Sequence, residues 1–480
     1  MSKPERGPGS FVLRGGEIVD GTGSPRFSGD VVVAGGRIAA VLPAGQGVGD
    51  RVFPIDGRIV CPGFIDSHSH DDQQVLERTA VQPKLSQGVC TVVTGNCGIS
   101  LAPLCTTDPP PPLDILGRDV FRFERFRDYL QALDAARPGV NVAPLVGHIS
   151  IRIKHVRDLQ RTATTDETAA MHREVREALD AGAFGLSTGV YYPPARAAST
   201  RELLDVCAAL RGRDAVLAMH IRDEADNVSQ ALGEALAVGA HSQARLVISH
   251  HKVMGPANHG RTSETLALID ASARTQEVCL DCYPYEASST MLDARKAARA
   301  GQVLITWSGP HPQLSGRTLA WIAGEWGLGL EEAAGRLMPG GAIYFSMAQQ
   351  DVDRVLMHPA TMIGSDGLPH DQRPHPRLWG SFPRVLGHYS RDRGLFPLET
   401  AIHKMTGLPA RRFGLRGRGI LQQGNAADLV VFDPLRIRDA ATYENPTAPA
   451  IGIDAVVVNG EMAMWQGELL NAHAGRRLQP

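Results

Sequence analysis

The sequence lacks an excess of positive charge. Its 480 residues contain 49 Lys and Arg against 51 Asp and Glu, which gives a net charge of −2. Nucleic acids and anionic membranes attract basic proteins, so we expect neither as a partner. No apolar run is long enough to span a bilayer. Residues 1–7 contain no apolar segment of the kind found in signal peptides, so we expect none there.

Cysteine is scarce as well, with seven scattered residues. An odd number of dispersed cysteines in a long chain argues against a disulfide-framed secreted domain. We therefore expect reduced thiols, one of them a candidate metal ligand, and a cytoplasmic location. The sequence leaves open whether the protein is a monomer or a homo-oligomer.

The middle of the chain alternates between apolar strand candidates and helical patterns. Hydrophobic residues make up 43% of the chain, enough for a large core. The strand candidates are residues 64–66, 91–93, 141–145, 183–186, 216–219, 245–249, 278–283 and 361–365. Thr164 and Glu167 form a capping-box pattern that predicts a helix over 169–181 ending at Gly182, and Ser199 begins another helix in the same way. Eight such repeats predict an α/β fold, a (β/α)8 TIM barrel with an insertion at about 287–358 between strands seven and eight.

Both ends of the chain have a different texture, with short strands separated by glycine turns. Near the start, residues 31–33, 37–41 and 58–60 are separated by Gly35-Gly36 and Gly57, which predicts hairpins. Near the end, residues 427–432 and 455–458 are strand-like, with a turn at Asn459-Gly460. We expect a small β-sandwich domain formed by residues 1–61 and 416–480 around a barrel of residues 62–415.

Polar residues suited to catalysis follow the barrel strands, at the end where TIM-barrel active sites lie. They are His68 and His70 after strand one, Cys97 after strand two, His220 after strand five, His250 and Lys252 after strand six, Tyr283 after strand seven and Asp366 after strand eight. Alternate residues of an extended segment point to the same side, so the first two histidines should converge. The pattern predicts a metal-dependent active site.

Cys97, His220 and His250 together offer one thiolate and two imidazoles. Three protein ligands with one open position are typical of a catalytic zinc site. The glycines that flank Cys97 would let its loop turn sharply toward the metal. Asp366 is the candidate general base, because a carboxylate beside a cationic metal can accept a proton from water and pass it to a leaving nitrogen.

Several motifs resemble a known family. Residues 64–70, FIDSHSH, and residues 424–433, GNAADLVVFD, resemble the amidohydrolase superfamily. Four further motifs restrict the resemblance to one group within this superfamily. They are residues 94–98, TGNCG, 249–252, SHHK, 364–367, GSDG, and 375–384, HPRLWGSFPR. Together they resemble the N-acyl-D-amino-acid deacylases, or D-aminoacylases, including the N-acyl-D-glutamate deacylases.

This resemblance implies a hydrolase that uses zinc to cleave N-acyl-D-amino acids into a carboxylate and a free D-amino acid. It implies a tight zinc site at Cys97, His220 and His250. It also implies a second, weaker metal position at His68 and His70 that need not be filled.

The resemblance assigns the remaining roles as well. Asp366 would be the acid and base, and Tyr192 would polarise the scissile carbonyl. The α-carboxylate of a small anionic substrate would be held by Lys252, Tyr283 and Arg377, with Ser289 nearby. Fixed cations and hydrogen bonds suit such an anion, because hydrogen bonds to charged groups contribute about 1.5–3 kcal/mol each.

The preferred side chain stays open. The acidic-substrate branch of the family has an Arg in the loop after strand seven, and residues 293–296, DARK, occupy that loop here. Lys296 matches the family's Arg by spacing, and Arg295 is one residue earlier. Either could bind an acidic side chain, or neither, so N-acyl-D-glutamate is one candidate substrate among D-amino-acid derivatives.

Two other functions compete with this one. A cyclic amidase of the hydantoinase or dihydroorotase kind would bridge two metals with a modified Lys on strand four, but residues 183–187 contain no Lys. A catalytically inactive barrel serving as an interaction module should have lost its ligands or its base. The chain keeps all of them, which favours the deacylase.

Overall fold

The computed structural model describes residues 10–77, 81–117 and 119–480. Residues 1–7, where the sequence predicts no signal peptide, lie outside this range. None of the helices in the described ranges has the length and apolar character needed to cross a bilayer.

A closed barrel of eight parallel strands occupies the middle of the chain, as the sequence predicts. The strands are Phe64–Asp66, Val89–Thr94, Asn141–Pro144, Gly185–Gly189, Val216–His220, Arg245–Ile248, Val278–Cys282 and Thr361–Ile363. Strands three and four are joined by the hydrogen bond from Phe184 N to Pro144 O (2.9 Å), and a short strand, Val146–Gly147, also pairs with strand four. Strands eight and one are joined by the bond from Ser67 N to Ile363 O (3.3 Å), which closes the barrel.

Helices surround the barrel. They are Gln82–Leu85, Phe126–Ala136, His148–His155, Thr165–Ala181, Pro193–Arg196, Thr200–Cys207, Val228–Ser242, Thr262–Ser272, Arg377–Arg384, which continues as a π-helix over Val385–Asp392, Leu398–Met405 and Gly407–Phe413. The predicted capping box is confirmed, because the Thr164 side chain accepts a hydrogen bond from Glu167 N (3.2 Å). Gly182 ends that helix with a φ of 117°, which favours glycine.

The chain between strands seven and eight forms the predicted insertion. It contains an antiparallel sheet of Ala287–Met291, Gln302–Ser308 and Gly340–Phe345. Its helices are Ala294–Arg299, Leu319–Trp326, Leu330–Leu337 and Gln349–Met357. The insertion has a hydrophobic cluster of its own, which includes Ile305, Ile322 and Leu337. It is therefore a separately packed part of the same chain. A second small sheet, Leu104–Cys105 with Arg122–Phe123, lies in the loop after strand two.

Both ends of the chain meet in one nine-stranded sheet. Its strands are Phe11–Ile18, Phe27–Ala34, Arg37–Leu42, Arg51–Pro54, Ile59–Pro62, Leu429–Phe432, Ile453–Val458, Glu461–Trp465 and Glu468–Leu469. The two halves join where Ile59–Pro62 pairs antiparallel with Leu429–Phe432. The hairpins predicted at Gly35-Gly36 and Asn459-Gly460 are confirmed.

The hairpin predicted at Gly57 is wrong. The strands on either side of it, Arg51–Pro54 and Ile59–Pro62, do not pair with each other, and both run parallel to Phe11–Ile18. The first strand has an irregularity between Leu13 and Gly16 that divides it into two halves, and each half pairs with one of the two strands.

Candidate active site

Cys97, His220 and His250 converge at the carboxyl end of the barrel strands, as predicted. The distance from Cys97 Sγ to His250 Nε2 is 3.3 Å, and His250 Nε2 lies 3.0 Å from His220 Nδ1. All three side chains are buried, and one ligand atom of each lies within 4.8 Å of the others. The end of strand five and the loops after strands two and six therefore bring a sulfur and two imidazole nitrogens to one point.

A second group shares the same sulfur. His68, His70, Cys97 and Asp366 also offer ligand atoms within 4.8 Å of one another. Cys97 Sγ lies 3.3 Å from His68 Nε2, and Asp366 Oδ1 lies 3.2 Å from His70 Nε2. The thiol of Cys97 is thus placed between two adjacent sets of metal-ligand atoms.

The backbone is strained at three of these residues. Cys97, His250 and Asp366 have φ values of 54°, 34° and 47°, in the left-handed region that non-glycine residues seldom occupy. Such conformations persist where the surrounding structure imposes them, and they concentrate at functional sites. Glycine is needed beside Cys97, because a Cβ atom at Gly95 would clash with the carbonyl oxygen of Leu145.

The donor set fits zinc. Sulfur and imidazole nitrogen are the ligands that zinc prefers, and three protein donors leave a position open for substrate or water. Burial raises the pKa of the Cys97 thiol, but the positive charges of His68 and His250 lower it to well below its usual value. The thiolate, which is the form that binds metal, is therefore favoured at this position.

Two buried carboxylates that the sequence analysis missed support the histidines. Glu224 Oε1 lies 3.1 Å from His250 Nδ1, and Glu224 Oε2 lies 3.7 Å from His220 Nε2. Asp281 Oδ1 lies 3.2 Å from His68 Nδ1 and accepts a hydrogen bond from His250 N (2.8 Å). A carboxylate on the far nitrogen of a ligand histidine fixes its orientation and tautomer. Asp281 could have been found from the sequence, because it is an acidic residue inside the otherwise apolar strand seven. Glu224 could not, because it lies in a polar loop where an acidic residue does not stand out.

Lys252 lies at the site but is engaged by protein groups. Its Nζ donates to Glu224 Oε1 (2.6 Å) and lies 2.8 Å from His250 Nδ1. The ammonium also stands 5.6 Å from the centre of the Tyr283 ring. Burial lowers the pKa of Lys252, but Glu224 outweighs this and raises it above its usual value, so the ammonium is retained.

Arg377 lies against the candidate base. Its Nη1 is 2.9 Å from Asp366 Oδ2, its Nη2 donates to Ser289 O (3.1 Å), and its guanidinium stacks 4.4 Å from the centre of the Tyr283 ring. The side chains of Ser289 and Tyr283 end in buried oxygens that have no hydrogen-bond partner among the described residues. Burial raises the pKa of Asp366, but Arg377 and His70 lower it to well below its usual value.

Tyr192 faces the same space from the loop after strand four. Its ring packs edge-on against His220, with 5.0 Å between ring centroids. Its hydroxyl lies 3.3 Å from Thr290 Oγ1, on the first strand of the insertion. Burial raises the pKa of Tyr192 well above its usual value, so the hydroxyl keeps its proton and can donate it in a hydrogen bond.

The insertion places Lys296 and Arg295 differently. Lys296 is partly buried, and its Nζ lies 4.4 Å from the centre of the Tyr344 ring and 5.6 Å from that of Tyr191. Arg295 is exposed. Of the two cations between which the sequence could not choose, Lys296 is therefore the one set among the aromatic residues at the mouth of the site.

A buried ion pair lies next to the strand ends that present the candidate metal ligands. Lys84 Nζ lies 2.7 Å from Asp66 Oδ2, and Asp66 Oδ1 accepts a hydrogen bond from Ser365 N (2.8 Å). Asp366 N in turn donates to His68 O (2.8 Å). The ends of strands one and eight, which present the paired histidines and the candidate base, are thereby held together.

Comparison with known proteins places this chain among enzymes. Residues 52–303 and 320–464 match the amidohydrolase family. The chain is 52% identical to a D-aminoacylase from Alcaligenes xylosoxydans xylosoxydans over 100% of this chain and 99% of the relative. It is 51% identical to an N-acyl-D-aspartate deacylase of the same organism over 98% and 95%.

Solved structures agree with this placement. A D-aminoacylase crystal structure has 53% identity and a TM-score of 0.95, covering 98% of this chain and 99% of that one. The N-acyl-D-glutamate deacylase from Bordetella bronchiseptica, solved with zinc and a phosphonate mimic of the tetrahedral intermediate, has 46% identity and a TM-score of 0.93 over the same shares. An L-hydantoinase from Arthrobacter aurescens shares only the fold, at 16% identity and a TM-score of 0.61 over 98% of this chain and 99% of that one. The chain belongs to the amidohydrolase family and, within it, to the family of D-aminoacylases and N-acyl-D-amino-acid deacylases.

Proposed function

We propose that this protein is a zinc-dependent N-acyl-D-amino-acid deacylase. The observation that carries the proposal is the convergence of Cys97, His220 and His250 on one point, with the carboxylate of Asp366 adjoining the same sulfur. Relatives that share about half of their residues with this protein, over nearly the whole chain, are a D-aminoacylase and an N-acyl-D-aspartate deacylase. The reaction adds water to the amide, breaks the C–N bond, and yields a carboxylic acid and a D-amino acid.

Cys97, His220 and His250 would hold the zinc tightly, and His68 and His70 would form the weaker second position. A zinc ion in this site supplies a Lewis acid that polarises the amide carbonyl and makes the attacking water more acidic.

Asp366 moves the protons. Because its pKa is held well below the usual value, it is ionised at neutral pH and ready to accept a proton from the attacking water. It then gives that proton to the leaving nitrogen, and the C–N bond breaks. Tyr192 donates a hydrogen bond to the carbonyl oxygen as negative charge develops there.

The α-carboxylate of the substrate would be bound by four residues of the site: Arg377, Lys252, Tyr283 and Ser289. The hydroxyls of Tyr283 and Ser289, which have no hydrogen-bond partner in the described part of the chain, would donate to it. Arg377 would donate from one edge of its planar guanidinium to Asp366 and from another edge to the carboxylate. Fixing the carboxylate, the carbonyl and the nitrogen at three separate places selects one hand of the α-carbon, and so selects the D-amino acid.

Lys296 would bind an acidic side chain of the substrate. It is partly buried, lies between two tyrosine rings, and has a pKa that burial lowers to about 8, so it is largely charged at neutral pH. Arg295 is exposed and is not proposed for this role. N-acyl derivatives of D-glutamate or D-aspartate are therefore the proposed preferred substrates.

The proposal includes the domain organisation and location inferred from sequence. Residues 62–415 would form the catalytic barrel, and residues 1–61 with 416–480 would form a β-sandwich around their shared sheet. All seven cysteines are free thiols, which is consistent with a reducing compartment such as the cytoplasm.

A substrate panel tests this function. Purified, zinc-loaded enzyme is given the N-acetyl derivatives of D- and L-glutamate, aspartate, methionine and alanine, and free amino acid is quantified. We expect hydrolysis of the D-compounds, fastest with acidic side chains, and at least about a hundredfold discrimination against the L-compounds. Hydrolysis of hydantoin or dihydroorotate without cleavage of any linear D-compound would contradict the proposal.

A further inference from the structure

We propose that a cavity beside the Tyr192–Thr290 contact binds the acyl chain of the substrate and limits its length. The cavity has a volume of about 200 Å³. Its lining combines apolar and polar side chains: Ile115, Met291, Trp307 and Leu368 on the one hand, and Asp114, Thr290, His370, Asp371 and Gln372 on the other. This inference rests on the proposed function and adds to it the chemical class of the acyl group.

The position of the cavity follows from the groups that face the scissile amide. Thr290 lines the cavity, and its Oγ1 lies 3.3 Å from the hydroxyl of Tyr192, which would donate to the carbonyl oxygen. Leu368 lines it too and follows Asp366 by two residues. The acyl chain begins at the carbon of that carbonyl, so it leaves the reacting atoms where the cavity starts.

The lining offers apolar surface for a short acyl chain and disfavours a chain that carries negative charge. Ile115, Met291 and Leu368 present apolar side chains, and Trp307 adds an aromatic surface. Two acids, Asp114 and Asp371, also line the cavity, and Asp371 has a buried Oδ2 without a hydrogen-bond partner among the described residues. Burial raises the pKa of this carboxyl to about 7. A carboxylate at the far end of the acyl group would lie unfavourably close to the Asp371 carboxyl. Amides of dicarboxylic acids should therefore be poor substrates.

The volume sets the chain length. A water molecule occupies about 30 Å³ in the liquid, and a methylene group is of similar size. The cavity therefore accommodates about six chain atoms, which corresponds to acyl groups from acetyl to about hexanoyl. The amino-acid side chain is assigned to a different region, near Lys296 and Tyr344, so the two parts of the substrate can be varied independently.

Two variants change the cavity in opposite directions. Ile115→Trp fills it, and Trp307→Ala enlarges it. Trp321→Ala is the matched control, because Trp321 belongs to the same insertion, is 45% exposed and does not line the cavity. The kcat/KM of each protein is measured with the acetyl, butanoyl, hexanoyl, octanoyl and succinyl amides of one D-amino acid.

For Ile115→Trp we expect the hexanoyl-to-acetyl ratio of kcat/KM to fall by about tenfold or more. For Trp307→Ala we expect the octanoyl-to-acetyl ratio to rise by a similar factor, and for Trp321→Ala we expect neither ratio to change. The wild type should disfavour the succinyl compound against the butanoyl compound.

The failure of this inference is distinguishable from failure of the function. If the wild type hydrolyses the acetyl compound but neither variant shifts its ratio beyond that of the control, the cavity is not the acyl pocket and the deacylase function stands. If Trp307→Ala does not fold, the ratio for Ile115→Trp decides. If the wild type cleaves none of the amides, both proposals are overturned.

Discussion

Glu224 lies close to three side chains of the candidate site at once. Its carboxylate lies 3.1 Å from His250 Nδ1, 3.7 Å from His220 Nε2 and 2.6 Å from Lys252 Nζ. It is buried, and the cations around it lower its pKa to well below the usual value despite its burial. One carboxylate is therefore placed to orient the proposed zinc ligand His250, lies close to a second, His220, and holds the proposed substrate-binding Lys252.

Glu224→Gln should weaken zinc binding, since the amide keeps the shape of the side chain but loses the negative charge on the ligand histidines. We expect the zinc Kd to rise by about 10–100-fold, measured by competition with a chromophoric chelator. Glu177→Gln, on the exposed face of the helix Thr165–Ala181, is the control and should leave the Kd unchanged. Equal zinc affinity in both variants would remove Glu224 from this role.

The charge of Lys296 should make the activity toward acidic substrates depend on pH. Burial lowers its pKa to about 8, so the ammonium is present below that pH and lost above it. The kcat/KM for N-acetyl-D-glutamate should therefore fall as pH rises through about 8, while that for N-acetyl-D-alanine should lack this step. The ratio of the two is plotted against pH, which cancels groups that act on both substrates.

Lys296→Met is the control for that profile. It should lower kcat/KM for the acidic substrate at pH 7 and flatten the pH dependence of the ratio. A ratio that keeps its pH dependence in the variant would assign the step to another group.

At the scale of elements, strands one and eight are tied together beneath the site by buried charge. Lys84 is buried and contacts Asp66 at 2.7 Å and Asp71 at 3.0 Å, and Asp66 also binds the backbone of Ser365. Removing one partner of such a buried pair leaves the other charge without compensation. That cost is far larger than for an exposed pair.

Lys84→Met should lower the free energy of unfolding by about 3–5 kcal/mol, measured by urea denaturation of the full chain. Arg201→Met removes the exposed pair with Asp205 and should change it by less than about 0.5 kcal/mol. A Lys84 variant as stable as the Arg201 variant would show that the buried pair does not hold these strand ends.

Much of the element order could be read from sequence, because each barrel strand is a short apolar run followed by polar residues. The helix begun by Thr164 and ended by Gly182 has local signals at both ends, and the structure has that helix. The parallel pairing of Ile59–Pro62 with the first strand was missed, because pairing between distant segments leaves no local pattern.

The same division holds for the site. The convergence of Cys97, His220 and His250, the proposed metal ligands, was predictable because each residue stands at a strand end. Glu224 was not, because its position depends on how its loop folds back onto His250 and Lys252, which follow a different strand. The choice between Arg295 and Lys296 also needed the structure, since neighbours in sequence differ here in burial.

At the scale of the whole molecule, a closed barrel supplies the reacting groups, an insertion covers one side of them, and a sheet from both termini lies against the barrel. Phe64 of strand one and Val430 and Val456 of the terminal sheet share one hydrophobic cluster. The insertion contributes Thr290 and Lys296, so under the proposed assignments substrate recognition is divided between barrel and insertion while the chemistry stays on the barrel. We expect the insertion to govern which substrate is preferred and the barrel to govern the rate.

The most direct measurement is the turnover of Asp366→Asn with its zinc content determined in the same sample. We expect kcat to fall by at least about a thousandfold, because the amide cannot accept the proton of the attacking water. We also expect zinc to stay bound at the Cys97 site, which does not use Asp366. Near-normal turnover in a zinc-loaded Asp366→Asn sample would contradict the proposed mechanism.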